Sequence, residues 1–330
     1  MMVRFAVIGT NFITDNFMEA GMQCEDFHVQ AVYSRTMERA KEYASKYGIE
    51  DCYDSLDDVA AAENIDAVYV ASPNALHAPQ SIQMLNAGKH VLCEKTIASN
   101  QAELQQMLDA AKKHHVIVLE AMRPVFDPGF QAIQDNLSKI APVRRATFQY
   151  CQYSRRYDNY KIGIIENAFK PELSNGALMD IGVYCVHPMV KLFGMPDQIL
   201  ASGYKLSTGA EAMGTIIARY GDEMQAELLY SKITDSILPS QIQGEEGSMI
   251  IEEIPDTVTL KIRTRKDKNW EEIKIDKKEN NMYYEIKEFI RLVQSGESAD
   301  EHNQYSLWEL AVMDEARKQM GIVFPADSKN

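Results

Sequence analysis

Four places in this 330-residue chain carry residue types at spacings that could do chemistry. The first is Gly9-Thr10-Asn11-Phe12-Ile13-Thr14, which follows an apolar run. A tight turn there lets backbone N–H groups and a helix N-terminus face a pyrophosphate. Of the pattern G-x-G-x-x-G only the first glycine is present. Asn11 tolerates left-handed angles better than most residues, which keeps the turn feasible, while Thr14 replaces the glycine that permits close helix–strand packing. An ordinary strand–helix turn is the competing reading. The second place is Ser34-Arg35 with Arg39 one helical turn on. A site for a free ribose 2′-hydroxyl usually carries Asp or Glu there. Two guanidiniums and a hydroxyl suit a 2′-phosphate instead, and a solvated helix face is the alternative.

The third place is an edge where Ser72-Pro73-Asn74, His77 and Glu94-Lys95 all follow strand-like runs. Ionisable groups at strand carboxyl ends are where a doubly wound sheet puts function, although a surface salt bridge would also explain Glu94-Lys95. The fourth runs from Asn175 through Asp180 and Tyr184 to His187. If helical, the last three share one face. Pro188 cannot donate to the Tyr184 carbonyl, so a helix either starts near Gly182 or kinks. The plainer reading makes Tyr184 a core aromatic whose hydroxyl is satisfied by Asp180, and His187 a core histidine.

The elements that must position these groups fall into two styles. Up to about residue 120 short apolar runs (Val3–Gly9, Val29–Ser34, Ala67–Val70, His90–Cys93, Val116–Leu119) alternate with amphipathic helical stretches (Thr14–Met22, Met37–Tyr47, Ala78–Ala87 and one opened by Asn100 with Glu103). That alternation predicts a parallel sheet covered on both faces. Beyond Arg123-Pro124 come Arg145–Tyr153, Ile199–Leu206, Gly214–Tyr220, Gln225–Tyr230, Ser248–Ile251, Thr257–Arg263 and Glu272–Ile275, with a hairpin at Tyr220-Gly221-Asp222-Glu223. Helices over Asn281–Gln294 and Gln304–Met320 close the chain. The fold class is therefore α/β: a doubly wound Rossmann domain over residues 1–122, then an α+β domain over 123–330 with a mostly antiparallel, open-faced sheet.

Net charge −14 and a pI near 5.0 disfavour bulk binding to nucleic acid or anionic membrane. Five scattered cysteines show no zinc-ligand spacing and read as reduced thiols of a cytoplasmic protein. No apolar run is long enough to span a bilayer, and no basic-then-apolar leader precedes the first strand. His114-His115 would point apart, so no metal site is expected.

Taken together, these segments resemble the Gfo/Idh/MocA oxidoreductase family over essentially the whole chain. Glu94-Lys95-Thr96-Ile97-Ala98 resembles its Glu-Lys-Pro box, and Ser72-Pro73-Asn74 with His77 its motif after the fourth strand. Glu120-Ala121-Met122-Arg123 and Gly176 through Tyr184 resemble the branch of dimeric dihydrodiol dehydrogenase and the NADP-dependent D-xylose dehydrogenases. The resemblance implies that Tyr184 and Lys95 are the catalytic pair, and that Arg35 and Arg39 take the 2′-phosphate of NADP, NAD remaining possible. The cofactor set it implies is Gly9, Asn11, Phe12, Ile13, Ser34, Arg35, Arg39, Ser72, Pro73, Asn74, His77, Glu94 and Lys95. The family's Lys–Pro bond is often cis. A cis bond before a non-proline costs ~2.5–4 kcal/mol, so a trans bond before Thr96, or a strained one, is expected.

On that footing the expected activity is hydride transfer between a nicotinamide and a carbon of a sugar, polyol or diol. Free tyrosine titrates near ~10, and a neighbouring ammonium stabilises the phenolate. Tyr184 is thus expected as general acid/base, Lys95 as its partner, and Asp180 as the group orienting one of them. Arg123, Arg156, Tyr157, Asn175 and Tyr184 are the expected substrate residues. A homodimer or higher homo-oligomer through the second sheet is expected. The alternative is a non-catalytic, nucleotide-sensing regulator on the same fold.

Overall fold

A computed structural model describes residues 2–328. The first part alternates strand and helix throughout: β1 (Val3–Ile8), α1 (Phe12–Gly21), β2 (Phe27–Tyr33), α2 (Met37–Ser45), β3 (Asp51–Tyr53), α3 (Leu56–Ala61), β4 (Ala67–Val70), α4 (His77–Asn86), β5 (His90–Glu94), α5 (Gln101–His114) and β6 (Val118–Ala121). The six strands are parallel in the order β3-β2-β1-β4-β5-β6. β1 lies between β2 and β4, so the strand order reverses there, the kind of point at which doubly wound sheets take ligands. β4 is buried along its whole length, as a strand covered on both faces must be. Helix starts follow their caps: Asn11, Thr36, Ser55 and Asn100 each accept backbone N–H bonds at α1, α2, α3 and α5.

The remaining elements are α6 (Pro128–Asn136), β7 (Val143–Cys151), α7 (Arg155–Lys161), α8 (Val183–Phe193), β8 (Gln198–Lys205), β9 (Glu211–Tyr220), β10 (Met224–Ser231), β11 (Ser240–Gly244), β12 (Gly247–Ile251), β13 (Thr259–Thr264), β14 (Glu271–Lys274), α9 (Met282–Ser295) and α10 (Asp300–Met320). The eight strands from β7 onward form one sheet, ordered β14-β13-β12-β11-β7-β10-β9-β8. All neighbours are antiparallel except β7 and β10. Its core joins α8, buried from Val183 to Val190, with Phe148, Ile216, Leu228, Tyr230 and Met313. Leu200, Tyr204 and Met213 on β8 and β9 are exposed. No helix among the described residues is long and apolar enough to cross a membrane.

The chain divides into two compact units, and the division differs from the expected cut at residue 122. The first unit runs to Ala121 and takes back Lys278–Leu307; the second holds Met122–Lys277 and the chain from Trp308. The return has a packing cause. The Phe289 ring of α9 packs tilted against Phe5 of β1, ring centroids 5.7 Å apart, and the Asn280 side chain donates to the Asn16 carbonyl at 2.9 Å. Amphipathicity announces that α9 packs, not which sheet it packs on.

Other sequence expectations also need correcting. The short β3 and α3 were not expected, nor were β11, α6 and α7; a three-residue strand and helices of under ten residues carry too few turns of periodicity to register. The Lys95–Thr96 peptide is cis, not trans. Thr96 is fully buried and its carbonyl is engaged by His77, so tertiary contacts rather than local preference set that bond. At the fourth place the expected helix start near Gly182 holds: α8 begins at Val183 with Pro188 inside it, and a π-helical turn over Leu178–Gly182 precedes it.

Candidate active site

At the carboxyl edge of the first sheet, Gly9 leaves β1 with φ 121°. A Cβ there would lie 2.6 Å from the Ala71 carbonyl oxygen, so both angle and space require glycine. Asn11 does not take left-handed angles; its φ is −111°. Its side-chain oxygen accepts from the N–H groups of Ile13 (2.9 Å) and Thr14 (3.3 Å), and its Nδ2 donates to the Ala71 carbonyl at 3.0 Å. The turn stands without a second glycine because asparagine caps α1 and ties it to β4. Thr14 is fully buried, its hydroxyl without a hydrogen-bond partner. Phe12 is exposed and Ile13 half-buried on the first turn of α1.

The two arginines part company. Arg35 is exposed beside half-buried Ser34 at the end of β2. Arg39 reaches the glycine turn instead. Its Nε donates to Thr10 Oγ1 at 3.1 Å, its Nη2 to the Thr10 carbonyl at 2.9 Å, and its Nη1 to Glu42 at 2.7 Å.

His77 ties the loop after β4 to the loop after β5. Its Nδ1 lies 2.9 Å from the Thr96 carbonyl oxygen and its Nε2 2.7 Å from that of Ser72. Burial pushes the imidazole pKa down, against those two carbonyls. Pro73 and Asn74 stand half-buried in the loop between them, and Lys95 is half-buried just beyond β5. Behind it, buried Glu94 accepts from the Tyr69 hydroxyl at 2.5 Å, and the Tyr69 ring stacks on Phe17. Glu120, on β6 and 2% exposed, accepts from the Ile97 amide at 3.0 Å and from the Ser306 hydroxyl at 2.6 Å. Burial pushes its carboxyl up to about 7; those two bonds and Lys95 pull it down, and Glu94 adds to the rise. Tyr69 and Glu120 thus join the site without standing among the residues expected there. An acid inside the apolar run Val118-Leu119-Glu120-Ala121 was the available signal.

In the second unit a cavity of about 310 Å³ is lined by Arg156, Glu166, Asn167, Ala168, Asn175 and Asp180. Arg156 on α7 lies 3.6 Å from Glu166 and 3.9 Å from Asp180. Asp180, in the π-turn, also makes an ion pair with buried Lys232, just past β10. One cation and two carboxylates thus meet at one small opening, and Lys232, outside the lining, pairs with one of them. Sequence spacing could not reveal Glu166 or Lys232, because four separate segments deliver these charges.

Tyr184 is nearly buried at the start of α8. The Arg123 guanidinium sits 5.5 Å from its ring centroid, and the Tyr150 ring packs edge-on at 5.7 Å. Arg123 lines a different cavity, of about 740 Å³, so the expected substrate residues do not form one cluster. Tyr157 packs with Tyr153, Tyr160 and Phe169. His187 is buried with its Nδ1 2.6 Å from Glu309 Oε2.

Comparison with known proteins bears on this arrangement. Residues 3–122 match the family described as "Oxidoreductase family, NAD-binding Rossmann fold", and residues 139–250 match the "GFO/IDH/MocA C-terminal domain". The chain is 49% identical over 328 residues to a scyllo-inositol 2-dehydrogenase (NADP(+)) of Bacillus subtilis (strain 168), covering 99% of each protein. It is 29% identical to a trans-1,2-dihydrobenzene-1,2-diol dehydrogenase of Danio rerio over 340 residues, covering 100% of both. Among solved structures, a 3-ketoreductase from Actinomadura kijaniata in complex with NADP and TDP-benzene superposes with a TM-score of 0.88 at 20% identity, covering 97% of this chain and 98% of that one. These relatives carry enzyme names and give the regulator reading no support. By sequence along nearly all its length, and by the order of its strands, the chain belongs to the Gfo/Idh/MocA family of oxidoreductases.

Proposed function

We propose that the protein is an NADP(H)-dependent dehydrogenase that oxidises a CH–OH group of an uncharged sugar, polyol or diol, or runs the reverse reduction. The observation that carries this reading is the 49% identity, along 99% of both chains, to a dehydrogenase named for scyllo-inositol and NADP(+).

The residues of the first unit fit such a cofactor. The missing Cβ of Gly9 leaves room at the Ala71 carbonyl for a close-packed turn, and α1 presents its N-terminus beside it. Ser34-Arg35 stand where a free ribose hydroxyl would call for a carboxylate. Arg35 would hold a 2′-phosphate, while Arg39 braces the turn through Thr10. When bound, NADP supplies the hydride acceptor. Tyr184, as the phenolate stabilised by the Lys95 ammonium, would take the proton from the substrate hydroxyl as the carbonyl forms and become the neutral phenol. Asp180 and Arg156 would orient further hydroxyls, one accepting and the other donating.

Charge and size narrow the substrate. Within the cavity lining Arg156 is matched by Glu166 and Asp180, a balance that favours a neutral substrate over a sugar acid or phosphate. A volume of about 310 Å³ lies at the small end of ligand sites, roughly 300–1,000 Å³, and suits a single ring. We extend the reading to a cytoplasmic homodimer through the open face of the second sheet, supported by exposed Leu200, Tyr204 and Met213; light scattering in solution tests it.

The decisive assay follows NADPH formation with a panel of inositols, aldoses and trans-diols beside the matching uronates and sugar phosphates. Turnover confined to neutral compounds, with NADP preferred over NAD, is expected. Absence of NADP-dependent turnover across the panel would sink the proposal.

A further inference from the structure

Resting on the reading of the 310 Å³ cavity as the substrate side, we propose that Glu211 is a positioning residue: its buried carboxylate holds the Leu178 amide and thereby fixes the turn that carries Asn175 and Asp180.

Glu211 opens β9 and is 1% exposed. Its Oε1 accepts from the Leu178 amide at 2.6 Å, the first residue of the π-turn, and no side chain closer in sequence caps that turn. Its Oε2 is buried without a hydrogen-bond partner. Gly176 lies directly against it, and a Cβ there would fall well inside contact distance of both carboxylate oxygens. The backbone from Asn175 to Leu178 therefore rests on this carboxylate. A plain structural cap would not require an acid, since glutamine has the same reach and its amide oxygen also accepts.

The groups that act on Glu211 come from each neighbouring element. Arg317 of α10 pulls its pKa down from a distance, with its own guanidinium held by Asp314 and Asp327. Tyr230 of β10 is close enough to feel its charge, and its hydroxyl points to Met320 Sδ at 3.7 Å. Lys205 of β8 stands opposite in register, but its ammonium lies 3.4 Å from the Gly321 carbonyl oxygen. Burial dominates and pushes the Glu211 carboxyl up to about 7, against the Leu178 bond. Above that value the Leu178 amide donates to an anion, and such bonds are roughly twice as strong as neutral ones. Below it the acceptor is neutral and the turn loosens.

The test reads substrate KM, kcat and cofactor KM between pH 6 and 8.5 for wild type, Glu211→Gln and Gly176→Ala. Wild-type substrate KM should rise by about tenfold as pH falls through about 7, with kcat and cofactor KM little changed. Glu211→Gln, neutral throughout, should show the raised KM without that step. Gly176→Ala, which forces the turn off the carboxylate, should raise KM at every pH. Hydrogen exchange of the 174–183 segment, corrected for intrinsic rate, supplies a readout free of turnover: its protection should drop in Glu211→Gln. Equal protection in the two proteins, or a wild-type pH step that survives in Glu211→Gln, overturns the inference. No turnover in wild type, combined with lost protection in Glu211→Gln, strikes the dehydrogenase reading and leaves the role of Glu211 in the turn standing.

Discussion

Glu120 in the first unit and Glu211 in the second are both deeply buried carboxyls pushed up to about 7. Their surroundings differ. Glu120 accepts at both oxygens, from the Ile97 amide and the Ser306 hydroxyl, whereas Glu211 accepts at one and leaves the other without a hydrogen-bond partner. The same contrast runs through the rest of the two sites. In the first unit, Asn11, Arg39 and His77 bond to main-chain atoms of the loops they hold, which fixes a shape. In the second, Arg156, Asp180, Glu166 and Lys232 meet through side chains alone, which fixes a charge balance. A rigid frame suits a ligand that never changes, and an exchangeable set of side chains suits one that differs between relatives.

The largest expected effect tests whether chemistry joins the two halves. Tyr184→Phe should lower kcat by roughly 10²–10⁴-fold, the range for losing a general acid/base, while NADPH affinity measured by fluorescence stays within about twofold. Lys95→Met should fall in the same range. Retained turnover in Tyr184→Phe would remove the phenol from the mechanism. Next in size, Arg35→Ala should raise KM for NADP by roughly 10–100-fold, the loss of a charge-assisted phosphate contact, and leave KM for substrate unchanged. Lys232→Met should do the reverse, raising substrate KM by about tenfold or more because Asp180 loses its buried partner. If Arg35→Ala and Lys232→Met each moved both KM values equally, the division of labour drawn above would fail.

The units also differ in how far their sequence could be read. Function in a doubly wound sheet gathers at strand ends, so Gly9, Ser34, Ser72 and Lys95 are found by locating four apolar runs. Even there, what each residue does depended on atoms the pattern leaves out: Asn11 caps a helix rather than bending left-handed, and Arg39 braces Thr10 rather than standing free. In the second unit the sequence offered Arg156, Asn175 and Asp180 of the cavity lining, but neither Glu166 nor the Lys232 that pairs with Asp180. Arg156, Glu166, Asp180 and Lys232 come from four segments, and only folding decides that their charges meet; Glu211, from a fifth, meets the Leu178 amide instead. The placing of α9 on the first sheet escaped for the same reason, since Phe289 and Phe5 lie at opposite ends of the chain.

The smallest predicted effect returns to the two carboxyls and concerns stability. The ordinary value for a glutamate is 4.5, and burial raises Glu120 to about 7 in the folded state. The native protein therefore binds that proton more tightly than the unfolded chain. Stability is unaffected well below 4.5, falls as pH rises toward 7, and above 7 carries a constant penalty, on the order of 3 kcal/mol for a shift of this size. Between pH 6 and pH 8 the loss from this one group is about 1 kcal/mol, or roughly 2–4 °C in Tm. Glu120→Gln removes the titration and keeps both bonds, because its amide oxygen accepts from Ile97 while its amide N–H donates to the Ser306 hydroxyl. The variant should match wild type most closely at acid pH, toward 4.5 and below, and melt higher at pH 8, with the fall in Tm between pH 6 and 8 reduced. Should Glu120→Gln instead melt lower at pH 8, the carboxylate would be earning its burial through its attraction to Lys95, and Glu120 would belong with the groups that hold that ammonium in place.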